Sequence, residues 1–167
     1  MSCISLVGMP GAGKSTLGVL LAKHLGKSFV DTDLLIQERA NTVLQKIVED
    51  RGYQYLRELE ERVITSLDLD NCVIATGGSA VYSEAAISHL KTLGPVLYIH
   101  VEYAVLAQRK LGLAERGIAG PSGQSLKDVY DERAPLYERY ADIIVRSTES
   151  IEGTLADIER EVIDKLN

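Results

Sequence analysis

The sequence is poor in cysteine, in long apolar runs and in positive charge, and each shortage narrows the range of functions. Cys3 and Cys72 are the only cysteines among 167 residues, and both lie in apolar, strand-like runs. We therefore expect them to pack in the core rather than form a disulfide framework or a zinc site. No apolar run reaches the ~20 residues of a membrane span, and no segment resembles a signal peptide. The formal net charge of −6 argues against nucleic acid or an anionic membrane as the main partner.

The remaining composition is typical of a soluble globular protein. Hydrophobic residues make up 46% of the chain and charged residues 25%, both ordinary fractions. The length suits one domain with a sizeable core, and no internal repeat or linker divides the sequence. We expect residues 1–167 to form a single domain, monomeric and cytoplasmic, whose partner is a small molecule.

The most informative motif is the P-loop pattern G-x-x-x-x-G-K-[ST], which residues 8–15 match. Glycines let successive N–H groups turn toward phosphate oxygens, Lys14 adds a charge for the β- and γ-phosphates, and Ser15 offers a hydroxyl to Mg²⁺. A plain glycine-rich turn is the alternative, but the strand-like run before the motif and the helical run after it favour the P-loop. The dinucleotide fingerprint G-x-G-x-x-G fails, because Thr16 stands where its last glycine belongs. The expected nucleotide-binding residues here are Gly8, Gly11, Ala12, Gly13, Lys14, Ser15 and Thr16.

Strand-like and helical runs alternate along the rest of the chain. The expected strands are Cys3–Val7, Ser28–Asp31, Cys72–Thr76, Val96–Val101 and Ile143–Val145. The expected helices are Thr16–Leu25, Leu34–Ala40, Thr42–Asp50, Tyr53–Leu67, Ser83–Leu93, Glu102–Leu111, Ser125–Tyr140 and Ile151–Leu166, with Asp33, Thr42 and Ser83 as N-caps. The strand-like runs are apolar and mostly β-branched, as strands buried on both faces should be. The alternation predicts an α/β fold: a five-stranded parallel sheet with helices on both faces.

Residues 112–123 stand apart, because they carry four glycines and a proline between two helices. An ordinary surface loop is one interpretation. A mobile lid at about residues 112–124 is the other, and we favour it because phosphoryl transfer requires that water be excluded once the substrates are bound.

Two acids end the second predicted strand, and ligands in such sheets bind beyond the carboxyl ends of the strands. We expect Asp31 to hold Mg²⁺ through water and Asp33 to accept a proton from an attacking hydroxyl. A purely capping role for Asp33 is the alternative.

A glycine pair and three arginines complete the pattern. Gly77 and Gly78 end the third strand, where they form either a simple turn or a close approach of the backbone to a ligand. Arg57, Arg116 and Arg133 each read alone as solvated side chains. Glu60 lies three residues after Arg57 on the same predicted helix, which is the right spacing to orient the guanidinium.

Together these motifs resemble the shikimate kinase family, which consists of small P-loop kinases of the nucleoside-monophosphate-kinase-like fold. The resemblance runs from the first strand to the last helix. The motifs that carry it are G-x-x-G-x-G-K-S-T at residues 8–16, D-x-D at 31–33, R-x-x-E at 57–60, the glycine pair at 77–78 and R-x-P-x-Y at 133–137.

The resemblance implies a role for each of these residues. Lys14 and Arg116 would stabilise charge on the transferring phosphoryl group, and Arg109 would lie near the adenine of ATP. Mg²⁺ would accompany the nucleotide. The expected shikimate-binding residues are Asp33, Arg57, Gly77, Gly78 and Arg133.

The chain also departs from the family pattern at four places. Ser79 stands where a third glycine is usual, Leu56 replaces a phenylalanine, and Gly52-Tyr53 replaces Gly-Glu. In the lid, residues 116–119 read Arg-Gly-Ile-Ala rather than Arg-Pro-Leu-Leu, which predicts a looser and less apolar lid. ATP binding should be unaffected by these changes.

We conclude from the sequence that the chain is an ATP-dependent small-molecule kinase of the shikimate kinase type. It would transfer the γ-phosphoryl group in line to the 3-hydroxyl of shikimate. One alternative is a kinase of another hydroxy acid or polyol, such as gluconate; Arg57 and Arg133 together favour a substrate with a carboxylate. Another is a nucleotide-binding regulator with weak catalysis, against which Asp33 argues.

Overall fold

The computed structural model describes residues 2–110 and 123–166. Within this part of the chain the strands are β1 Ile4–Val7, β2 Ser28–Asp31, β3 Cys72–Ala75, β4 Val96–His100 and β5 Ile143–Arg146. The helices are α1 Lys14–Leu25, α2 Thr32–Ala40, α3 Leu44–Arg51, α4 Tyr53–Thr65, α5 Glu84–Leu93, α6 Tyr103–Lys110, α7 Leu126–Tyr140 and α8 Ile151–Leu166. A short 3₁₀ helix, Ala80–Tyr82, follows β3.

The five strands form one parallel sheet in the order β2-β3-β1-β4-β5. This confirms the α/β fold expected from the sequence. Because all strands run the same way, their carboxyl ends meet at one edge of the sheet, where ligands bind in such folds. The P-loop follows β1 at this edge, Asp31 ends β2, and the glycine pair follows β3.

The inner strands are mostly apolar and are covered by helices and neighbouring strands. Every residue of β1 and β3 is buried, and burying one aliphatic side chain contributes about 1.5–3 kcal/mol. The edge strands differ from the expectation that all strands are buried on both faces. In β5, burial alternates, with Ile144 and Arg146 exposed, and every residue of β2 is at least partly exposed.

A second, smaller apolar cluster holds three helices together beside the sheet. Ile36 of α2, Ile47 of α3, and Leu56 and Val63 of α4 are buried against one another. This cluster is separate from the main core around the sheet. It fixes α2 and α4, from which the acidic groups of the site project.

The two cysteines pack in the core, as the sequence predicts. Cys3 and Cys72 are buried and not joined by a disulfide, and their Sγ atoms lie 2.9 Å apart. Burial raises the pKa of the Cys72 thiol to about 12, so this thiol is inert at neutral pH.

Two of the predicted N-caps are wrong. Helix α2 begins at Thr32, and its cap is Asp31, whose Oδ1 accepts a hydrogen bond of 2.9 Å from the N–H of Asp33. Helix α3 begins at Leu44 rather than Thr42, and Gln37 Oε1 accepts from the Leu44 N–H at 3.2 Å. A side chain from the preceding helix therefore supplies the cap.

The other helix boundaries agree with the sequence to within two residues. Ser83 caps α5 as expected, with its hydroxyl accepting from Ala86 N at 3.0 Å. The 3₁₀ helix at Ala80–Tyr82 was not expected. Arg116 and residues 112–122 of the predicted lid lie outside the described residues. Within those residues, no helix is both long and apolar enough to cross a membrane.

Candidate active site

The P-loop joins β1 to α1 and has positive φ angles at three glycines, Gly8, Gly11 and Gly13. Gly11 and Gly13 have φ of 84° and 89°, in the left-handed region that other residues rarely adopt. Gly13 is the N-cap of α1 and carries no side chain that could cap the helix. The first N–H groups of α1 are thus directed toward a ligand at the positive end of the helix.

Lys14 is buried at the start of α1 and holds the loop closed. Its Nζ donates to the carbonyl oxygens of Gly8 at 2.7 Å and Met9 at 2.9 Å. Burial lowers the pKa of Lys14 to about 8, although nearby Asp33 and Glu60 act to raise it. The ammonium group is therefore desolvated, and an anion bound at the loop would meet a strong electrostatic field.

Ser15 and Asp31 form a pair of oxygen donors beside the loop. Ser15 Oγ donates to Asp31 Oδ2 at 2.6 Å. The described residues contain no cluster of three or more histidine, cysteine or acidic side chains that could hold a metal. Mg²⁺ commonly binds through one or two protein oxygens, with waters and substrate phosphates completing the shell. This donor pair fits Mg²⁺ that arrives with a nucleotide.

Asp33 and Glu60 converge on Gly77, at the end of β3. A Cβ placed on Gly77 would lie 2.2 Å from Glu60 Oε1 and 2.8 Å from Asp33 Oδ1. Glycine is therefore required here for space. Because Asp31 caps α2, Asp33 in the first turn is not the cap.

Glu60 is a buried carboxyl group, only one of whose oxygens has a hydrogen-bond partner. Ser79 Oγ donates to Glu60 Oε2, while Oε1 has no partner among the described residues. Burial raises the pKa of Glu60 to about 7, and the Ser79 hydrogen bond opposes that rise. Glu60 is thus a second acid in the site, beside Asp33, and it is Glu60 that changes charge near neutral pH.

Arg133 is only 1% exposed and lies against the second glycine of the pair. A Cβ on Gly78 would come within 2.9 Å of Arg133 Nη1. Tyr137, one turn further along α7, donates from its hydroxyl to the Gly78 carbonyl at 2.5 Å. The R-x-P-x-Y motif therefore fixes both the arginine and the backbone next to it.

Arg57 and Arg109 lie at the periphery of the site. Arg57 Cζ is 3.8 Å from the ring centroid of Tyr82 and 5.0 Å from that of Tyr53. Arg109 Nη1 donates to the Gly11 carbonyl at 3.0 Å, which places α6 against the P-loop.

One cavity of about 620 Å³ connects most of these groups. Most of the residues predicted for the site line it, namely Gly11, Gly13, Lys14, Ser15, Thr16, Asp33, Gly77, Gly78 and Arg133. Predicted residues that are not among its described lining residues are Gly8, Ala12, Asp31, Arg57 and Arg109. The cavity therefore brings the P-loop and the acidic end of the sheet into one space.

Comparison with known proteins identifies the family. The family model described as shikimate kinase matches residues 10–167. A shikimate kinase of Thiobacillus denitrificans is 37% identical over 165 residues, which cover 97% of this chain and 88% of that protein. The chain belongs to the shikimate kinase family. Its members are phosphotransferases that use ATP and an alcohol acceptor, and this chain is such an enzyme.

Superposition on solved structures supports the same family. The shikimate kinase of Acinetobacter baumannii, solved in complex with shikimate, superimposes with a TM-score of 0.88 at 29% identity, covering 99% of this chain and 94% of that one. A gluconokinase of Sinorhizobium meliloti superimposes with a TM-score of 0.53 at 16% identity, covering 99% and 95%. The gluconokinase shares the fold alone.

Two contributions to this family site were not recognised from the sequence. Tyr82, which touches both Arg57 and Arg133, carries no local motif and lies in the unexpected 3₁₀ helix. Ser79 stands out in the sequence only as a departure from the family's glycine, and its hydrogen bond to Glu60 joins residues 19 positions apart. The one available signal was that departure itself.

Proposed function

We propose that this enzyme transfers the γ-phosphoryl group of ATP to the 3-hydroxyl of shikimate within the cavity. The observation that carries this proposal is that Lys14 and Asp33 line the same space, together with Gly77, Gly78 and Arg133. A phosphate donor at the P-loop and a hydroxyl acceptor at Asp33 would then meet with water largely excluded.

On the donor side, the triphosphate would occupy the P-loop. The N–H groups at the start of α1 and the Lys14 ammonium would bind the β- and γ-phosphates. Arg109, which contacts the Gly11 carbonyl at 3.0 Å, would lie beside the adenine. The sequence assigns Arg116 to the transferring phosphoryl group, and that role stays a prediction.

Ser15 directly, and Asp31 through water, would hold Mg²⁺ when the nucleotide binds. The ion would neutralise part of the phosphate charge. Their 2.6 Å hydrogen bond shows that the two side chains are already adjacent.

On the acceptor side, Asp33 would orient the attacking hydroxyl and accept its proton. The carboxylate of the substrate would be gripped by Arg57 and Arg133, since the planar guanidinium matches a carboxylate with two parallel hydrogen bonds. The glycine pair would let the six-membered ring approach the backbone closely. We also propose a single-domain monomer located in the cytoplasm.

A coupled assay of ADP formation over a small panel of acceptors tests this proposal. The panel contains shikimate, shikimate methyl ester and gluconate, and the phosphorylated position is read by NMR of the product. We expect kcat/KM for shikimate to exceed that for gluconate by about 100-fold or more, with phosphate on the 3-hydroxyl. A preference for gluconate would make the enzyme a kinase of another hydroxy acid, and ADP formation independent of any acceptor would support a regulator.

A further inference from the structure

Tyr82 packs against both arginines that the proposed function assigns to the substrate carboxylate. The Arg57 and Arg133 guanidinium carbons lie 3.8 Å and 5.2 Å from its ring centroid. The three residues come from three separate elements: α4, the 3₁₀ helix and α7. A motif read along the sequence therefore could not have predicted this contact.

The ring is suited to hold two like charges next to each other. The face of an aromatic ring carries negative potential and attracts a guanidinium group. Arg57 has a second ring, that of Tyr53, at 5.0 Å. Two guanidinium groups repel each other, and an aromatic ring in contact with both offsets part of that repulsion.

The tyrosine hydroxyl fixes the orientation of the ring. It donates to Glu132 Oε1 at 2.5 Å and accepts from Arg133 Nε at 3.3 Å. Glu132 Oε2 is held in turn by Gln124 at 3.3 Å. Burial raises the pKa of the Tyr82 phenol, so the hydroxyl stays protonated and keeps donating to Glu132.

We propose that Tyr82 is a positioning residue that orders Arg57 and Arg133 for an acceptor carboxylate. This inference rests on the proposed carboxylate clamp. Arg57 is not one of the described residues lining the cavity. Its guanidinium can therefore act on the acceptor only if the side chain is held in an orientation that reaches the cavity. Tyr82 supplies that orientation and links Arg57 to the buried Arg133. Ordering a side chain before the ligand binds lowers the cost of binding.

The test compares kinetic constants for three variants at this position. Tyr82→Leu and Tyr82→Met remove the ring, whereas Tyr82→Phe removes only the hydroxyl. We expect Tyr82→Leu and Tyr82→Met to raise the KM for shikimate about tenfold, and Tyr82→Phe about two- to threefold. The KM for ATP and kcat should change by less than about twofold, because the P-loop is untouched. Tyr82→Met decides the matter if Tyr82→Leu does not fold.

Two controls separate positioning from general packing. Tyr55→Leu removes a ring that lies 4.3 Å from Arg51, away from the cavity, and should leave every constant unchanged. Shikimate methyl ester lacks the charged carboxylate, so its KM should be the same for the parental enzyme and Tyr82→Leu. An equal rise in the KM of acid and ester would overturn the inference.

Arg133→Lys distinguishes a failure of this inference from a failure of the clamp. If Arg133→Lys raises the shikimate KM while Tyr82→Leu and Tyr82→Met leave it unchanged, the clamp stands and the role of Tyr82 is rejected. If Arg133→Lys also leaves it unchanged, the clamp itself is rejected, and the inference with it.

Discussion

Ser79 donates a hydrogen bond to Glu60 at a position where the sequence pattern of the family leads one to expect glycine. The bond secures one oxygen of a buried carboxyl group and leaves the other, Oε1, next to Gly77 and Asp33. A charged carboxylate in such a place is costly unless it is hydrogen-bonded. The serine therefore favours the ionised form of Glu60, against the larger opposing effect of burial on its pKa.

The first prediction concerns the pH dependence of stability. Burial raises the pKa of Glu60 from 4.5 to about 7, so between these values the folded state binds more protons at this group than the unfolded state. The free energy of unfolding must then fall as pH rises from 4.5 to 7. Glu60→Gln does not titrate, and its stability relative to the parental enzyme should rise over this window by an amount on the order of a few kcal/mol. Urea denaturation at several pH values measures it.

Ser79→Ala provides the matched variant for this experiment. Loss of the hydroxyl should raise the pKa of Glu60 further and extend the window upward. The charged groups that act on Glu60 (Asp33, Lys14 and Arg133) are kept in both variants, and Tyr137 also senses its charge. Parallel stability curves for the parental enzyme and Glu60→Gln would contradict the assignment.

The second prediction is that Gly77→Ala disables the acceptor site. Its methyl group would meet Glu60 Oε1 at 2.2 Å and Asp33 Oδ1 at 2.8 Å, and Glu60 is held by Ser79. We expect kcat/KM for the acceptor to fall about 100-fold, and overpacking of this kind destabilises by about 1–3 kcal/mol. Thermal unfolding and steady-state kinetics measure both effects. In a Glu60→Ala background, Gly77→Ala should lower the free energy of unfolding by less. An unchanged loss would contradict the contact between the methyl group and Glu60.

The P-loop was predictable because its chemistry is contiguous. Gly11, Gly13, Lys14 and Ser15 lie within five positions, and the strand and helix around them follow from local apolar patterns. Sheet membership followed from the same patterns, since every residue of β1 and β3 is apolar except Ser5. Local sequence therefore sufficed for the donor side of the site.

The contacts on the acceptor side were not predictable from local patterns. Tyr82 and Arg133 are 51 positions apart and meet only because α7 packs on the 3₁₀ helix. The sequence pattern points to Asp33 as the cap of α2, whereas Asp31, which is an equally good type of capping residue, provides it. The start of the helix at Thr32 decides between them, and that start depends on where β2 ends.

The third prediction is that Lys14→Ala removes phosphoryl transfer without unfolding the enzyme. Losing a desolvated charge next to the phosphates should cost about 10²-fold or more in kcat. Because burial lowers the pKa of Lys14 to about 8, the charge is not a net source of stability, and the melting temperature should change little. Lys23→Ala, at an exposed position of the same helix, is the control. Near-parental turnover by Lys14→Ala would refute the role.

The fourth prediction separates the two acids that follow β2. Asp33→Asn keeps the size of the side chain but cannot accept a proton, so kcat should fall by about 10²–10⁴-fold, while the ATP dissociation constant stays near its parental value. Asp31→Asn should instead weaken nucleotide binding in the presence of Mg²⁺ and keep the cap of α2, because an asparagine Oδ1 also accepts from the Asp33 N–H. Isothermal titration and steady-state kinetics distinguish them. Loss of ATP binding in Asp33→Asn, with turnover spared, would assign Asp33 a structural role.

The fifth prediction is that Arg133→Lys impairs recognition of the acceptor and not of ATP. Arg133 is 1% exposed, with Nη1 close to Gly78 and Nε hydrogen-bonded to Tyr82. A lysine there keeps the charge but cannot present two parallel donors to a carboxylate. We expect the shikimate KM to rise by about 10- to 100-fold, with the KM for ATP unchanged. Arg139→Lys, exposed on the same helix, should behave as the parental enzyme. Should the parental enzyme use shikimate methyl ester as well as shikimate, no carboxylate clamp exists, because the loss of the acceptor's charge would then cost nothing.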